Sequence, residues 1–155
     1  MTCKEKLETF LRDNSVPFEV HHHPPAYTAQ RVAQAEHVSG RTVVKTVMAF
    51  ADTSLVMLAL PAHRKANLAR AAAAAGANEV RLAHEDEFAS SFPDCEVGAM
   101  PPFGNLYGIP VYADNELAAD ETIVFNAGTH EDTVHMKFAD FQRLAAPRMA
   151  DIAGG

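Results

Sequence analysis

A lysine inside an apolar segment is the first residue whose type and position suggest chemistry. Lys45 lies in the run Gly40-Arg-Thr-Val-Val-Lys-Thr-Val-Met-Ala-Phe50. In a strand, alternation places Lys45 on one face with Val43, Val47 and Ala49. A cation on an apolar face is unfavourable unless it reaches water, a carboxylate or a ligand. The residues alone leave two interpretations open, a ligand-binding lysine and an edge-strand lysine that extends its ammonium to solvent.

A rigid loop is the second candidate. The segment Gly98-Ala-Met-Pro-Pro-Phe-Gly104 follows a break at Phe92-Pro93. Its two prolines and two glycines fix the backbone and leave little side chain in the way. Such a loop can direct backbone N–H groups at a ligand oxygen, and preformed donors of this kind stabilise the oxyanion of ester hydrolysis. A turn between two elements would have the same composition, so the loop alone is a weak signal.

The segment Phe125-Asn-Ala-Gly-Thr-His130 is the third candidate. A strand that runs into Ala-Gly-Thr exposes backbone at its end, and Gly128 is expected to permit close approach of a ligand. His130 can orient water, hydrogen-bond a substrate amine or ribose, or cap a turn. The sequence leaves these three alternatives open.

Motifs for metals and nucleophiles are incomplete. Three adjacent histidines, His21-His-His23, cannot all face one ion, and the sequence contains no HExxH, CxxC or GxSxG motif. Cys3 and Cys95 are too few for a disulfide framework, and Cys95, three residues before Gly98, is interpreted as a bystander. We therefore predict no metal, no cofactor and no nucleophilic triad.

Composition limits the classes of partner. The 155 residues are 48% hydrophobic, which fits a single domain over residues 1–155. No apolar run reaches the roughly 20 residues of a membrane span, and the N-terminus lacks a signal-peptide core, so we expect a cytoplasmic protein with no membrane partner. The net charge of −7 opposes a large nonspecific nucleic-acid surface. We expect no DNA partner, and any contact with RNA must be local.

The hydrophobic pattern predicts helices and strands in irregular order. Helices are expected at residues 3–14, 28–37, 65–75, 85–90 and 138–144, and strands at 18–20, 43–50, 55–60, 111–113, 122–127 and 133–137. A capping box at Thr2–Glu5 is expected to begin the first helix, and an N-cap at Thr28 the second. Gly40 is expected to end the second helix and Gly76 the third. The tail Gly154-Gly155 is expected to fray. Because helices and strands do not alternate, the predicted fold class is α+β: a single domain with a mixed, mostly antiparallel β-sheet flanked by helices.

Taken together, these segments resemble the YbaK/EbsC family, the ProX-type aminoacyl-tRNA deacylases that are like the insertion domain of prolyl-tRNA synthetase. The matching parts, in chain order, are Gly40-Arg41, Lys45, residues 98–104, Gly108-Ile-Pro-Val-Tyr112 with Asp114, and Ala127-Gly128. The resemblance extends from Tyr27 to Phe141. Several spaced motifs in the right order are more specific than any one of them.

The resemblance implies a set of site residues. Lys45 stands where the family has the lysine on which activity depends, and Gly98 and Pro102 are the ends of the family's GxxxP motif, whose backbone binds near the scissile carbonyl. The implied catalytic residues are Lys45, Gly98 and Ala99. The implied substrate-binding residues are Tyr27, Thr28, Thr46, Met100, Pro101, Pro102, Phe103, Gly128 and His130. Family members accept alanine, cysteine, serine or threonine esters, and we expect Tyr27, Thr46, Ala99, Met100 and His130 to set the choice.

The reaction implied by the resemblance is hydrolysis of a mischarged amino acid from the 3′ end of tRNA. An aminoacyl ester is already activated, so a positioned water and a stabilised oxyanion can suffice. Attack by water and use of the ribose hydroxyl as an internal base both remain open. Two alternative functions also remain: a small-molecule ester or amide hydrolase, and a non-enzymatic module that binds an amino acid or an aminoacylated end.

The implied partner is the acceptor end of a mischarged tRNA, with an aminoacyl-tRNA synthetase as an alternative holder of the RNA. Arg41, Arg64, Lys65 and Arg70 are the expected tRNA-binding residues. If Lys65 and Arg70 both lay on the alanine-rich helix, their five-residue step would rotate them by about 140° and place them on either side of a groove. So small a set predicts few phosphate contacts.

Overall fold

A five-stranded mixed sheet lies at the centre of the computed structural model, which describes residues 1–154. The strands are β1 Phe18–His22, β2 Val44–Ala51, β3 Ser54–Pro61, β4 Lys65–Ala66, β5 Val80–Leu82, β6 Val111–Asp114, β7 Thr122–Asn126, β8 Asp132–Lys137, β9 Arg148–Ala150 and β10 Ala153–Gly154. The central sheet has the order β5-β2-β3-β6-β9, a second sheet has the order β1-β8-β7, and β10 pairs with β4. The mixed, mostly antiparallel pairing is confirmed, although it is divided among three sheets.

Five α-helices surround these sheets in the described residues. They are α1 Cys3–Asp13, α2 Ala29–Ala35, α3 Leu68–Ala75, α4 Glu85–Phe88 and α5 Phe138–Ala145, with short 3-10 helices at Ala89–Ser91, Gly104–Tyr107 and Asn115–Ala119. None of them combines the length and the apolar character needed to cross a bilayer.

The central hairpin confirms the strongest strand prediction. β2 and β3 pair antiparallel along their whole length, from Val44 opposite Pro61 to Ala51 opposite Ser54. The two-residue turn between them begins with Asp52 at a φ of 54°, a conformation that aspartate tolerates. Lys45 lies directly opposite Leu60 in this register. The hairpin therefore fixes the lysine near the start of β2, where β3 pairs with it on one side and β5, which pairs only with Ala49–Ala51, does not cover the other.

Both faces of the central sheet are buried, which explains the apolar surroundings of Lys45. On one face, Val44 and Met48 join the main core with the fully buried Phe103. On the other face, which carries Lys45, Ala49 and Leu60 pack with α3 and the C-terminal segment. A lysine on this second face must extend its ammonium past apolar neighbours to reach an opening.

Local signals for helix ends are mostly confirmed. Thr2 and Glu5 form the reciprocal hydrogen bonds of a capping box at α1, and Thr28 accepts a hydrogen bond from the Arg31 N–H at the start of α2. Gly76 ends α3 with a left-handed conformation. Gly40, however, does not end α2, because the helix stops at Ala35 and His37 takes the left-handed conformation with a φ of 56°.

The predicted helix over residues 65–75 begins three residues too early. Lys65 and Ala66 form β4, which pairs with Gly154 and Ala153, and Asn67 then caps α3. Pairing in β10 also places Gly154 in a strand, so the expected fraying is wrong there, while Gly155 lies outside the described residues. The strands β5 and β9 are edge strands of three residues that sequence analysis missed.

Cys3 and Cys95 form a disulfide across 92 residues of sequence, with their Cα atoms 5.0 Å apart. The interpretation of Cys95 as a bystander is therefore wrong. The bond joins the first residue of α1 to the segment that leads into the Gly98 loop, and the Cys3 N–H also donates to the Asp94 carbonyl at 3.1 Å. The sequence offered no means of pairing two cysteines that lie so far apart.

Removal of this disulfide is expected to destabilise the fold. The variant Cys3→Ser/Cys95→Ser should lose about 2–4 kcal/mol of unfolding free energy relative to the oxidised protein, because a long closed loop is released in the unfolded chain. Urea unfolding measures the loss. A thiol reductant should bring the parent protein to the stability of the variant and leave the variant itself unchanged. Equal stability of the oxidised parent and the variant would contradict this expectation.

Candidate active site

A small cavity forms where β2, the Gly98 loop and the end of β7 meet. Its volume is about 50 Å³. It is lined by Tyr27, Ala29, Val43, Val44, Lys45, Thr46, Gly98, Met100 and Asn126. Five residues predicted from the sequence are therefore brought together: Tyr27, Lys45, Thr46, Gly98 and Met100. The fold joins the lysine strand and the glycine loop, which sequence analysis identified separately.

The Lys45 ammonium has no ionic partner among residues 1–154. Burial lowers the pKa of Lys45 from its usual value, and the nearby positive charge of Lys65 lowers it further. No carboxylate offsets these two effects. A partly desolvated cation beside a second cation favours an anion or a carbonyl oxygen as its neighbour. Lys45 is thus available to a ligand that enters the cavity.

Backbone hydrogen bonds hold the Gly98 loop against the end of β7. The Gly128 N–H donates to the Ala99 carbonyl at 2.9 Å, and the Glu96 N–H donates to the Gly128 carbonyl at 2.8 Å. The Ala99 N–H donates back to the Glu96 carbonyl at 3.0 Å, which closes a turn around Gly98 with its φ of 87°. Ala99 is fully buried. Its N–H is used within the turn, so Ala99 anchors the loop and its N–H is not a free donor.

Two N–H groups of the loop lie at the cavity without an acceptor within residues 1–154. Gly98 and Met100 both line the cavity, and neither N–H takes part in a backbone or side-chain hydrogen bond there. Pro101 and Pro102 have no N–H to offer, and Phe103 and Gly104 do not line the cavity. The donors that the loop can present to a ligand in the cavity are therefore those of Gly98 and Met100.

His130 is oriented by a carboxylate that sequence analysis missed. Its ring Nδ1 lies 3.0 Å from Glu96 Oε1, and its backbone N–H donates to the same oxygen at 3.1 Å. Its ring also lies against Tyr27, with centroids 4.8 Å apart. A Cβ built on Gly98 would stand 3.4 Å from His130 Nε2, so the second ring nitrogen faces the Gly98 turn. The position of Glu96 two residues before Gly98 gave no sequence signal of this contact, because a glutamate in a loop is ordinary.

Asn126 is a second residue missing from the predicted set. It ends β7, lines the cavity, and its buried side-chain Oδ1 has no hydrogen-bond partner in the described chain. Buried polar atoms are rarely left unpaired, and such exceptions are typical of functional sites. Asn126 therefore offers the cavity an acceptor opposite the Lys45 cation.

Several predicted binding residues support the site without lining the cavity. The Thr28 hydroxyl caps α2, Pro101 and Pro102 are buried, and Phe103 lies in the main core against Phe10, Phe125 and Phe141. Gly128 is also structural, because a Cβ at this position would stand 2.7 Å from the Cβ and Sγ atoms of Cys3. The group that approaches Gly128 closely is therefore Cys3 of α1, with its disulfide, and not a ligand as expected.

The predicted tRNA-binding arginines are already engaged within the chain. Arg64 Nε donates to Glu116 at 3.0 Å, Arg41 Nε lies 3.6 Å from Asp120, and an Arg70 guanidinium N–H donates to the Ala153 carbonyl at 2.8 Å. Lys65 precedes α3, so the rotation expected between Lys65 and Arg70 on one helix is wrong. Lys65 instead lies close enough to Lys45 to affect its pKa.

Residues 23–144 match the sequence profile of the family described as Aminoacyl-tRNA editing domain. The chain belongs to this family. The resemblance seen in the spaced motifs of the sequence is thereby confirmed, and the family is one of aminoacyl-tRNA deacylases.

Curated relatives of this editing domain include both synthetases and a free-standing deacylase. Proline--tRNA ligase of Acidithiobacillus ferrooxidans is 33% identical over 122 residues, which cover 77% of this chain and 21% of the ligase. The Multifunctional Ser/Thr-tRNA deacylase ProXp-y of Escherichia coli strain K12 is 32% identical over 97 residues, which cover 62% of this chain and 58% of the deacylase. The chain thus spans about a fifth of the ligase and just over half of the deacylase.

Solved structures share the whole fold of this editing domain. Hypothetical protein APE2540 superposes with a TM-score of 0.87 at 19% identity, over 96% of this chain and 99% of that chain. A candidate trans-editing enzyme for prolyl tRNA synthetase superposes with a TM-score of 0.86 at 19% identity, over 100% of this chain and 99% of that chain. At this identity the likeness concerns the fold, and it confirms the α+β single-domain class.

Substitution of Gly98 is expected to impair this editing domain beyond its effect on stability. Gly98→Ala and the control Gly108→Ala both force alanine into a positive φ, which costs roughly 1–2 kcal/mol of unfolding free energy. Only the alanine at position 98 would add a methyl group beside His130 Nε2, because nothing lies within 4 Å of a Cβ at Gly108. Urea unfolding and deacylation rates measure the two effects. Equal loss of activity in both variants would contradict a role for the Gly98 turn.

Proposed function

We propose that this protein is a trans-editing aminoacyl-tRNA deacylase, which hydrolyses the ester of a mischarged amino acid on tRNA. The observation that carries the proposal is the cavity in which an unpaired lysine, two unpaired backbone N–H groups and an unpaired amide oxygen meet in a member of the editing-domain family. Each of these groups complements one part of an aminoacyl ester.

The ester carbonyl is the group that the Gly98 loop would bind. Attack of a water oxygen on the carbonyl carbon converts the carbonyl oxygen into an oxyanion, and the N–H groups of Gly98 and Met100 would donate to it. Donors fixed before the reaction stabilise such charge strongly because they need no reorganisation. Breakage of the bond between the carbonyl carbon and the ribose oxygen then releases the free amino acid, and the ribose oxygen takes up the proton lost by water.

Lys45 and Asn126 would hold the two ends of the substrate. The Lys45 ammonium would bind the carbonyl oxygen or the terminal ribose and phosphate, a role supported by its lack of an anionic partner among the described residues. The unpaired Oδ1 of Asn126 would accept a hydrogen bond from the α-ammonium group of the amino acid. Holding both ends of the substrate would orient the ester for attack by water.

His130 would orient the attacking water. Glu96 holds the Nδ1 side of the ring, which leaves Nε2 directed at the Gly98 turn, beside the carbonyl position proposed above. An imidazole fixed in this way can accept a hydrogen bond from water without becoming the nucleophile. Glu96 would act as a positioning residue, because it touches His130 and not the substrate.

The size of the cavity favours a small amino acid. A volume of about 50 Å³ leaves space for a side chain of a few heavy atoms, and Thr46 and Met100 limit it. Small side chains are the ones that a synthetase rejects poorly by binding alone. We therefore propose alanine, cysteine, serine or threonine esters as the substrate class, on a tRNA acceptor end, in the cytoplasm where tRNA is charged. An aminoacyl-tRNA synthetase is the proposed holder of that tRNA.

One observation favours a second candidate, a small-molecule ester or amide hydrolase. Arg41, Arg64 and Arg70 are all engaged by groups of this chain, in a protein of net charge −7, which leaves few free cations for RNA. A panel of mischarged tRNAs and matching free amino-acid esters separates the candidates. Editing predicts turnover of tRNA esters, the hydrolase predicts turnover of free esters alone, and a binding module predicts binding with no turnover.

Replacement of Lys45 is expected to abolish deacylation and leave the fold intact. Lys45→Met should lower the rate on the best substrate of the panel roughly 100-fold or more, because a group that holds the reacting ester is lost. The melting temperature should stay equal or rise slightly, because an unpaired, half-buried charge is removed. Lys137→Met, on an exposed lysine at the end of β8 away from the cavity, is the control for loss of charge. A Lys45→Met protein with parental turnover would remove Lys45 from the mechanism.

Binding of tRNA should depend on Lys65 more than on Arg64. Lys65→Ala is expected to weaken binding of a mischarged tRNA and to reduce the slope of log affinity against log salt by about one. Arg64→Ala should change both quantities less, since Glu116 already holds that guanidinium at 3.0 Å. Titrations between low and physiological salt measure the slope. A steep slope in the parent protein, or no change in Lys65→Ala, would contradict a small local contact.

A further inference from the structure

A polar face of the β1-β8 sheet gathers two histidines and a glutamate that do not line the candidate active site. In the antiparallel register, Glu19 lies opposite His135 and His21 lies opposite Thr133, so these four side chains share one face. The side chain of Glu36, which follows α2, contacts His21 on that face. One ligand atom from each of His21, Glu36 and His135 lies within 4.8 Å of the other two.

The distances from Glu36 to the two histidines are longer than those of hydrogen bonds. His21 Nδ1 lies 3.6 Å from Glu36 Oε2, and His135 Nε2 lies 3.6 Å from Glu36 Oε1. Both distances exceed the usual range for an N–H donor and a carboxylate oxygen. Two ligands of one tetrahedral zinc ion, with bonds of about 2.0–2.1 Å, are roughly 3.3 Å apart. The spacing is compatible with a shared cation, which the two imidazole rings, now stacked with centroids 3.9 Å apart, would reach by rotating their ring planes toward it.

The burial of the group also favours binding of a cation. The Glu36 side chain is only 7% exposed and that of His135 only 14% exposed. The Nε2 atom of His135 is buried without a hydrogen-bond partner among the described residues. A buried carboxylate that is satisfied only in part is costly, and an imidazole nitrogen with a free lone pair is a metal ligand. A divalent ion between them would satisfy both groups at once.

We infer that His21, Glu36 and His135 form a binding site for one divalent transition-metal ion, with zinc the best match. Two imidazole nitrogens and one carboxylate are a donor set typical of zinc, whereas magnesium and calcium prefer oxygen ligands alone. His21 is 39% exposed, so water can reach the fourth position and the metal has a route of entry. The Thr133 hydroxyl, which hydrogen-bonds Glu36, orients the carboxylate.

The proposed ion would fix α2 on the sheet. Val32 and Ala33 of this helix pack with Val124 of β7, and Glu36, which directly follows the helix, contacts His21 of β1 and His135 of β8. The same helix begins immediately after Tyr27 and Thr28, and Tyr27 and Ala29 line the candidate active site. The ion is therefore a structural one, which holds the wall of the cavity and takes no part in the reaction.

Metal titration of the untagged, chelator-treated protein tests this inference, with Cys3 and Cys95 kept oxidised so that no thiolate competes. Calorimetry with zinc should show one equivalent bound, cobalt(II) should give the visible absorption of a tetrahedral site, and zinc should raise the melting temperature. His135→Ala, Glu36→Gln and His21→Ala should each weaken zinc binding at least about tenfold.

His22→Ala is the matched control, because His22 is adjacent in sequence, is 68% exposed on the opposite face of β1 and contacts Asp132. This variant should bind zinc as the parent does. His21→Ala removes a half-exposed side chain, so it keeps the test valid if a more buried variant fails to fold. Absence of saturable binding at one equivalent, or an equal loss of affinity in His22→Ala and His21→Ala, would overturn the inference.

Discussion

The hydrogen bonds between Gly128 and the segment from Glu96 to Ala99 are the constraint on which the candidate site depends. They join a loop that has no regular secondary structure to the end of β7, and they lie entirely between backbone groups. The pairing requires a residue at 128 without a side chain, because Cys3 packs against that position. The disulfide from Cys3 to Cys95 then closes the arrangement from the side of α1. Loop, strand end and helix therefore form one unit around Gly98.

Within this unit, several buried polar groups lack an ionic or hydrogen-bond partner in the described protein. Lys45 is partly desolvated without an anion, Asn126 has an unpaired oxygen, and the loop leaves N–H groups without acceptors. In water such groups would be solvated, but around a small cavity they remain poorly satisfied until a ligand enters. The free energy lost on folding is recovered on binding a complementary substrate. This is how a rigid site can prefer one arrangement of carbonyl, amine and phosphate over others.

The sequence predicted those parts of the fold that depend on neighbouring residues. The capping box at Thr2, the two apolar strands of the central hairpin and the end of α3 at Gly76 all follow from local preferences, although the turn between the strands is two residues shorter than expected. It failed where partners are distant in the chain. Lys65 and Ala66 become a strand only because Ala153 and Gly154 lie beside them, and no local pattern marks so short a pair.

The candidate site shows the same division. Lys45 and the Gly98 loop were identifiable because a lysine in an apolar strand and a Pro-Gly loop violate ordinary patterns, and the family resemblance linked them. Glu96 was not, because an exposed glutamate in a loop is ordinary until His130 is seen 3.0 Å away. Asn126 was overlooked for a similar reason, since only its burial without a partner distinguishes it. Functional contacts between residues that are distant in the sequence can be recognised only once the fold is known.

The charge distribution gives the last constraint on how such a site meets RNA. The protein carries 20 acidic and 13 basic residues, and its arginines near the C-terminal segment lie among carboxylates such as Glu116. The acidic surface repels a polyanion at long range, so association cannot rest on a broad electrostatic field. Lys45 and Lys65 differ from the arginines that lie among carboxylates. They are two like charges, and Lys65 is close enough to lower the pKa of Lys45. A phosphate placed between them would relieve their repulsion and replace it with two attractions. Under the proposed function, we therefore expect recognition to rest on the terminal ribose and phosphate beside the cavity and to be weak for the duplex behind them.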